Sequence, residues 1–378
     1  MTEINSKIVK AQNLILKRNV FEILELLQCV DSTLVLQMIP YASLICCESI
    51  TYLKSMGMPI ALEETGKYSI HKMRQKTKFF DESVDKIINI SRNIDEIQDA
   101  YFSSLIKLRF IKEKNIYNNL GITFDSQKHI LSNTYYSCYI FQDDNKIRKK
   151  ISSVNYLTLE KDDLQQIGYD ISSNISIVAN LLRNDDNQIV FEMMKYTEKL
   201  KYSDYNTNRL FHSKELTDKY LSLFLLDILS NVGFVMFYLK KIVIIDAGLL
   251  MRIEYILYYY TLSRVKSIKE YCNNSIDNNV SSEITNLVQC CDSDSTNDLL
   301  NSDFRSCMMH FGLVNPKNKI LIDINEIDYS KKLCGLVEMH FKMTENEFQN
   351  LLEKRLNLIF DILNDFFNSY FYKQGKYF

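Results

Sequence analysis

The chain has 378 residues, 46% hydrophobic and 24% charged, enough apolar mass for a sizeable core and no compositional mark of disorder. Only 9 Gly and 3 Pro are present, too few turn-formers for a β-sandwich or a doubly wound sheet, so a mainly all-α fold is expected. A formal net charge of −2 excludes a global basic field, and any RNA contact has to be local.

Met1 to Lys10 is polar and charged, unlike a secretory leader. The nine Cys include no Cys-x-x-Cys pair and no Cys/His set at zinc spacing. The expectation is a cytoplasmic protein with reduced thiols, without metal or cofactor. Residues 3–75 read as several helices broken at Pro40 and at Gly57-Met58-Pro59. Residues 81–114 give the clearest helix of this half. Val84, Ile87, Ile94, Ile97, Tyr101, Leu105, Leu108 and Ile111 keep a helical step behind Asp81 as N-cap, apart from one gap that Ser91 fills, which marks a packing face.

Residues 121–158 lose that period. Tyr135 to Phe141 is aromatic and strand-like, and a small β-hairpin or an irregular insertion is expected there. Lys146, Arg148, Lys149 and Lys150 read as a solvated basic edge, with phosphate contact as the rarer alternative. Helices resume at 161–183 and 187–201, and the polar stretch Tyr202 to Asn208 reads as a linker. This divides the chain into an N-terminal helical domain, 1–205, and a C-terminal helical bundle, 206–378.

The bundle has four long helical candidates, at 214–240, 244–272, 282–312 with a break allowed near Asp292–Ser295, and 345–372. The apolar window Leu221 to Met251 is interrupted by Asp227, Asn231, Lys240, Lys241 and Asp246, so it reads as buried helix and no membrane partner is expected. Thr344 and Glu347 form a capping box at the head of the last helix.

Inside the third candidate, Phe304-Arg305-Ser306-Cys307-Met308-Met309-His310-Phe311-Gly312-Leu313 sets an arginine and a histidine five positions apart in an apolar frame. An imidazole titrates near neutral pH and serves as base or acid. A guanidinium stays charged and offers forked donors to phosphate oxygens. On a regular helix five residues turn by about 500° and rise about 7.5 Å, so the two side chains point about 140° apart unless the helix end is distorted. The bland alternative is structural, with Arg305 paired to an acidic neighbour and His310 capping the helix C-terminus. His71 sits among Lys72, Arg74, Lys76 and Lys78 on what reads as a solvated basic face, while His129, His212 and His340 read as surface or interface residues.

Arg305-x4-His310 on a helix of a C-terminal four-helix bundle resembles the HEPN superfamily, whose hallmark is an arginine, four to six residues, then a histidine. A polar residue often follows the arginine, as Ser306 does here, and Gly335-Leu336-Val337-Glu338 is similar to a segment found after the motif in bacterial members. The resemblance covers residues 210–378 at most. It implies a HEPN-like four-helix bundle and a metal-independent endoribonuclease of a toxin or phage-defence kind. Arg305 and His310 would be catalytic, with Ser306, Arg252 and Glu254 binding RNA or supporting them. Glu215 and Asp218 are also eligible for the supporting role. RNA, a homodimer partner and a neutralising antitoxin are the partners implied. Two alternatives stand beside it, a non-catalytic bundle that dimerises or docks a partner, and a working N-terminal half that the bundle only holds.

Overall fold

Long amphipathic stripes with few Gly and Pro make helices, and helices dominate this protein. A computed structural model describes residues 3–58, 60, 70–77, 84–109, 118–136, 161–183, 189–211, 219–274, 282–292, 298–313 and 321–373. The first half carries α1 (Glu3–Cys29), α2 (Val35–Ser55), α3 (Ile70–Thr77), α4 (Val84–Arg109), β1 (Leu120–Phe124), β2 (Ile130–Asn133) and α5 (Lys161–Leu181). Then come β3 (Glu192–Met193), β4 (Lys201–Tyr205), α6 (Thr207–Leu210), α7 (Lys219–Ile242) and β5 (Val243–Ile245). The chain continues through α8 (Leu249–Asn274), α9 (Ser282–Asp292), α10 (Ser302–Met309), α11 (Leu336–Phe341) and α12 (Glu345–Lys373).

The four expected C-terminal helices are present, the third one split into α9 and α10. α12 packs on α7, α8 and α9, and α8 packs on α9. α7 is long and apolar enough to cross a membrane, but 89% of its most apolar window is buried in the fold. A π-helical stretch, Phe234–Leu239, follows Gly233. A Cβ on Gly233 would lie 2.0 Å from the Ile130 carbonyl oxygen, so a glycine lets β2 seat directly on α7.

Several local expectations fail for tertiary reasons. α2 runs through Pro40 instead of breaking there. The proline forgoes only one ladder bond, and it does so near the helix start, where packing outweighs the loss. The helix expected at 187–201 is not formed by its described part. Glu192 pairs with Ile245 and Met193 with Val243, and the Met194 N–H donates to the Ile242 carbonyl at 2.9 Å. The linker expected at Tyr202–Asn208 is instead β4 and the start of α6. β4 is antiparallel to β1, in a three-stranded sheet of order β2-β1-β4. The hairpin is real, but its second strand is Ile130–Asn133, ahead of the aromatic run. Asp81, Lys146, Arg148, Lys149 and Lys150 lie outside the described residues.

One hydrophobic core runs from Ile8 to Phe367 and passes the 205/206 position without a gap. α1 packs on α2, α5 and α8, and α4 packs on α7 and α8. Arg18 of α1 forks onto carbonyl oxygens near the far end of the chain, Tyr329 at 2.9 Å, Lys332 at 2.8 Å and Lys331. The Glu22 carboxylate, also on α1, accepts from the Ala247 and Leu249 N–H groups at 2.7 and 2.9 Å and so caps the start of α8.

Candidate functional site

Asn301 opens α10 by accepting from the Asp303 and Phe304 N–H groups, both at 2.9 Å. Phe304 then locks the helix down. It is fully buried, edge-on to Tyr255 at 4.6 Å and to Phe341 at 4.9 Å. The helix stops at Met309, and His310 has extended backbone with φ −124° and ψ 146°. Its N–H still donates to the Ser306 carbonyl at 3.0 Å. The angular separation of a regular helix therefore does not apply to His310.

Arg252 of α8 holds this helix end. Its Nη1 donates to the Cys307 carbonyl at 3.2 Å and to the Met308 carbonyl, while the guanidinium lies 4.7 Å from the centre of the Phe311 ring. Only 2% of Arg252 is exposed, and its hydrogen bonds go to the end of α10. Burial pulls its pKa down to about 10, which still leaves it charged at neutral pH.

The exposed His310 ring presents Nδ1 to Glu48 Oε2 on α2 at 2.8 Å. A carboxylate at Nδ1 fixes the ring's orientation and favours the tautomer whose lone pair is on Nε2. Arg305 is half-buried in a tyrosine cradle. Its Nη2 donates to the Tyr260 hydroxyl at 3.2 Å, and the guanidinium carbon lies 5.8 and 5.9 Å from the Tyr259 and Tyr260 ring centres. Tyr260 in turn donates to Met309 Sδ at 3.3 Å. Arg305, midway along α10, is thus tied to α8, and His310, at the helix's C-terminal end, to α2.

Ser306 contributes its backbone carbonyl to the His310 turn. Glu254 does not join the group. It sits two residues beyond Arg252, is wholly buried, and accepts from Gln349 of α12 at 3.2 Å. Burial drives its pKa up to about 8. Gln349 also accepts from Lys332, whose ammonium lies 3.4 Å from Asp246, so Glu254 belongs to a core network. Glu215, Asp218 and His212 lie outside the described residues. His129, expected on the surface without a partner, pairs with Asp125 at 2.9 Å and stacks on Phe237 at 3.9 Å. On α3 the basic face is only partly solvated, since Arg74 and Lys76 are buried.

Glu48 is the residue the sequence hides, since it lies 262 positions from His310 with no pattern to link them. Cys29, Cys307 and Cys334 are free thiols. Among the described residues no three His, Cys, Asp or Glu side chains gather as a metal ion would need. No family model matches the chain, and neither a curated protein nor a solved structure matches it.

Proposed function

We propose that the chain is a metal-independent endoribonuclease of HEPN type, acting in the cytoplasm as a toxin or phage-defence effector. The observation that carries this reading is the exposed imidazole of His310, aligned by Glu48 at the end of the helix that bears Arg305. His310 Nε2 takes the proton of an RNA 2′-hydroxyl, and that oxygen attacks the adjacent phosphorus. Arg305 donates to the phosphate oxygens as charge builds on them. The P–O5′ bond breaks, and the leaving oxygen takes a proton. One histidine is thin for two proton transfers, which is the physical reason to invoke a homodimer in which a second copy supplies the acid. An antitoxin would neutralise the enzyme by covering the exposed His310 ring.

A single-stranded RNA of defined sequence, incubated with purified protein in excess EDTA, tests this reading. Wild type yields 2′,3′-cyclic phosphate and 5′-hydroxyl ends. His310→Ala slows cleavage about 100-fold or more, and Glu48→Gln slows it about tenfold through loss of ring alignment. Intact RNA with wild type, or equal rates for wild type and His310→Ala, sinks the proposal. The second reading, a non-catalytic dimerisation or docking bundle, draws on the tyrosine cradle that already engages Arg305. Intact RNA together with a wild-type dimer in solution supports that reading.

A further inference from the structure

A cavity between α2, α3, α7, α8 and α10 offers about 40 Å³ of room. That holds two or three water-sized bodies and excludes a ligand with a hydrocarbon body. Pro40, Leu44, Ile256, Leu257 and Met309 make most of its wall apolar, and Arg74 of α3 lines it. Only 7% of Arg74 is exposed, and its Nε and Nη2 are buried without a hydrogen-bond partner among the described residues. Arg264 also lines the cavity but is engaged elsewhere. Its Nη1 lies 3.5 Å from Asp227 Oδ2, and its guanidinium lies 5.5 Å from the centre of the Phe224 ring. Arg74 alone therefore carries the site.

Nε and Nη2 occupy one edge of the guanidinium and offer two nearly parallel N–H bonds, a fork that one small acceptor can satisfy. A buried donor pair without a partner costs stability, and folds keep such groups where something else completes them. Water bonds the edge without answering its charge, whereas a monovalent anion does both. The room fits a single sphere, and the apolar wall suits a weakly hydrated one. We propose that this cavity binds one chloride ion, with the Nε and Nη2 hydrogens of Arg74 both donating to it. The site stands whether or not the chain cleaves RNA.

The test is thermal unfolding of the full chain in sodium chloride against sodium gluconate at equal ionic strength, since gluconate is too large for the cavity. At tenfold over its Kd, chloride raises the melting temperature by about 2 °C above the gluconate value. Bromide does the same, and crystals soaked in bromide show an anomalous peak within hydrogen-bond reach of Arg74 Nε and Nη2. Arg74→Met keeps the bulk of the side chain and removes both donors, so the difference between chloride and gluconate disappears. The proposal is overturned if chloride gives no rise over gluconate at molar concentration, if Arg74→Met responds like wild type, or if water stands beside Arg74 in the bromide-soaked crystal. Should Arg74→Met not fold, the presence or absence of the bromide peak decides alone.

Discussion

Arg252→Ala lowers the unfolding free energy by about 3 kcal/mol, read by urea denaturation at pH 7. The side chain satisfies two carbonyls of the last turn of α10, Cys307 and Met308, where the helix has no backbone donor left to offer. Its removal strands both oxygens in a dry site, opens a cavity beside Phe311 and forfeits the ring contact. One cost is recovered, since the guanidinium is itself buried, with Nε and Nη2 unbonded among the described residues. Arg252→Met keeps most of the volume and costs only about 1 kcal/mol. The His310 amide, bonded to Ser306, exchanges its hydrogen faster in both variants. If Arg252→Ala stays within about 0.5 kcal/mol of wild type, the capping role is wrong.

Glu254→Gln is the opposite case, a core substitution that stabilises. The folded pKa of Glu254 is pushed up to about 8 by burial, against an ordinary value of 4.5. Between those two values the folded chain keeps a proton that the unfolded chain releases, so stability falls as pH rises through this window. At pH 7 the penalty is about 3 kcal/mol. Glutamine keeps an acceptor for Gln349 and removes the titration. The variant is therefore more stable than wild type at pH 7, by an amount that grows to pH 8 and vanishes near pH 4.5. Glu22, whose pKa burial also raises, and Asp227, raised to about 6, leave a smaller slope of the same sign in the variant. Urea curves at pH 5, 7 and 8 check this, and parallel pH trends for the two proteins refute it.

The stripes of α4, α7 and α12 could be read from spacing alone, because apolar periodicity is a local property that packing reinforces. The capping box is equally legible. Glu347 accepts from the Thr344 N–H at 2.8 Å, and Thr344 accepts from the Glu347 N–H at 3.2 Å. The described part of 187–201 is not helical because its extended form comes from pairing with β5, some fifty residues on. Arg252 and Glu254 are both eligible as supporting residues by sequence, yet two helical steps turn a side chain by about 200°, so one faces α10 and the other α12. Arg305 and His310 were visible as a spacing. Glu48, which gives the imidazole its direction, was not, because no periodicity connects α2 to the end of α10.

The Arg18 fork and the Glu48–His310 contact both join early chain to late chain. A ribosome releases α1 and α2 long before it makes the segments they grip, so the N-terminal helices must wait, only partly packed, for residues 310 to 332. A prematurely terminated product carries the carboxylate without the imidazole and the fork without its carbonyls. The Glu48–His310 pair therefore comes into being only once residue 310 has been made and α10 has closed against α2.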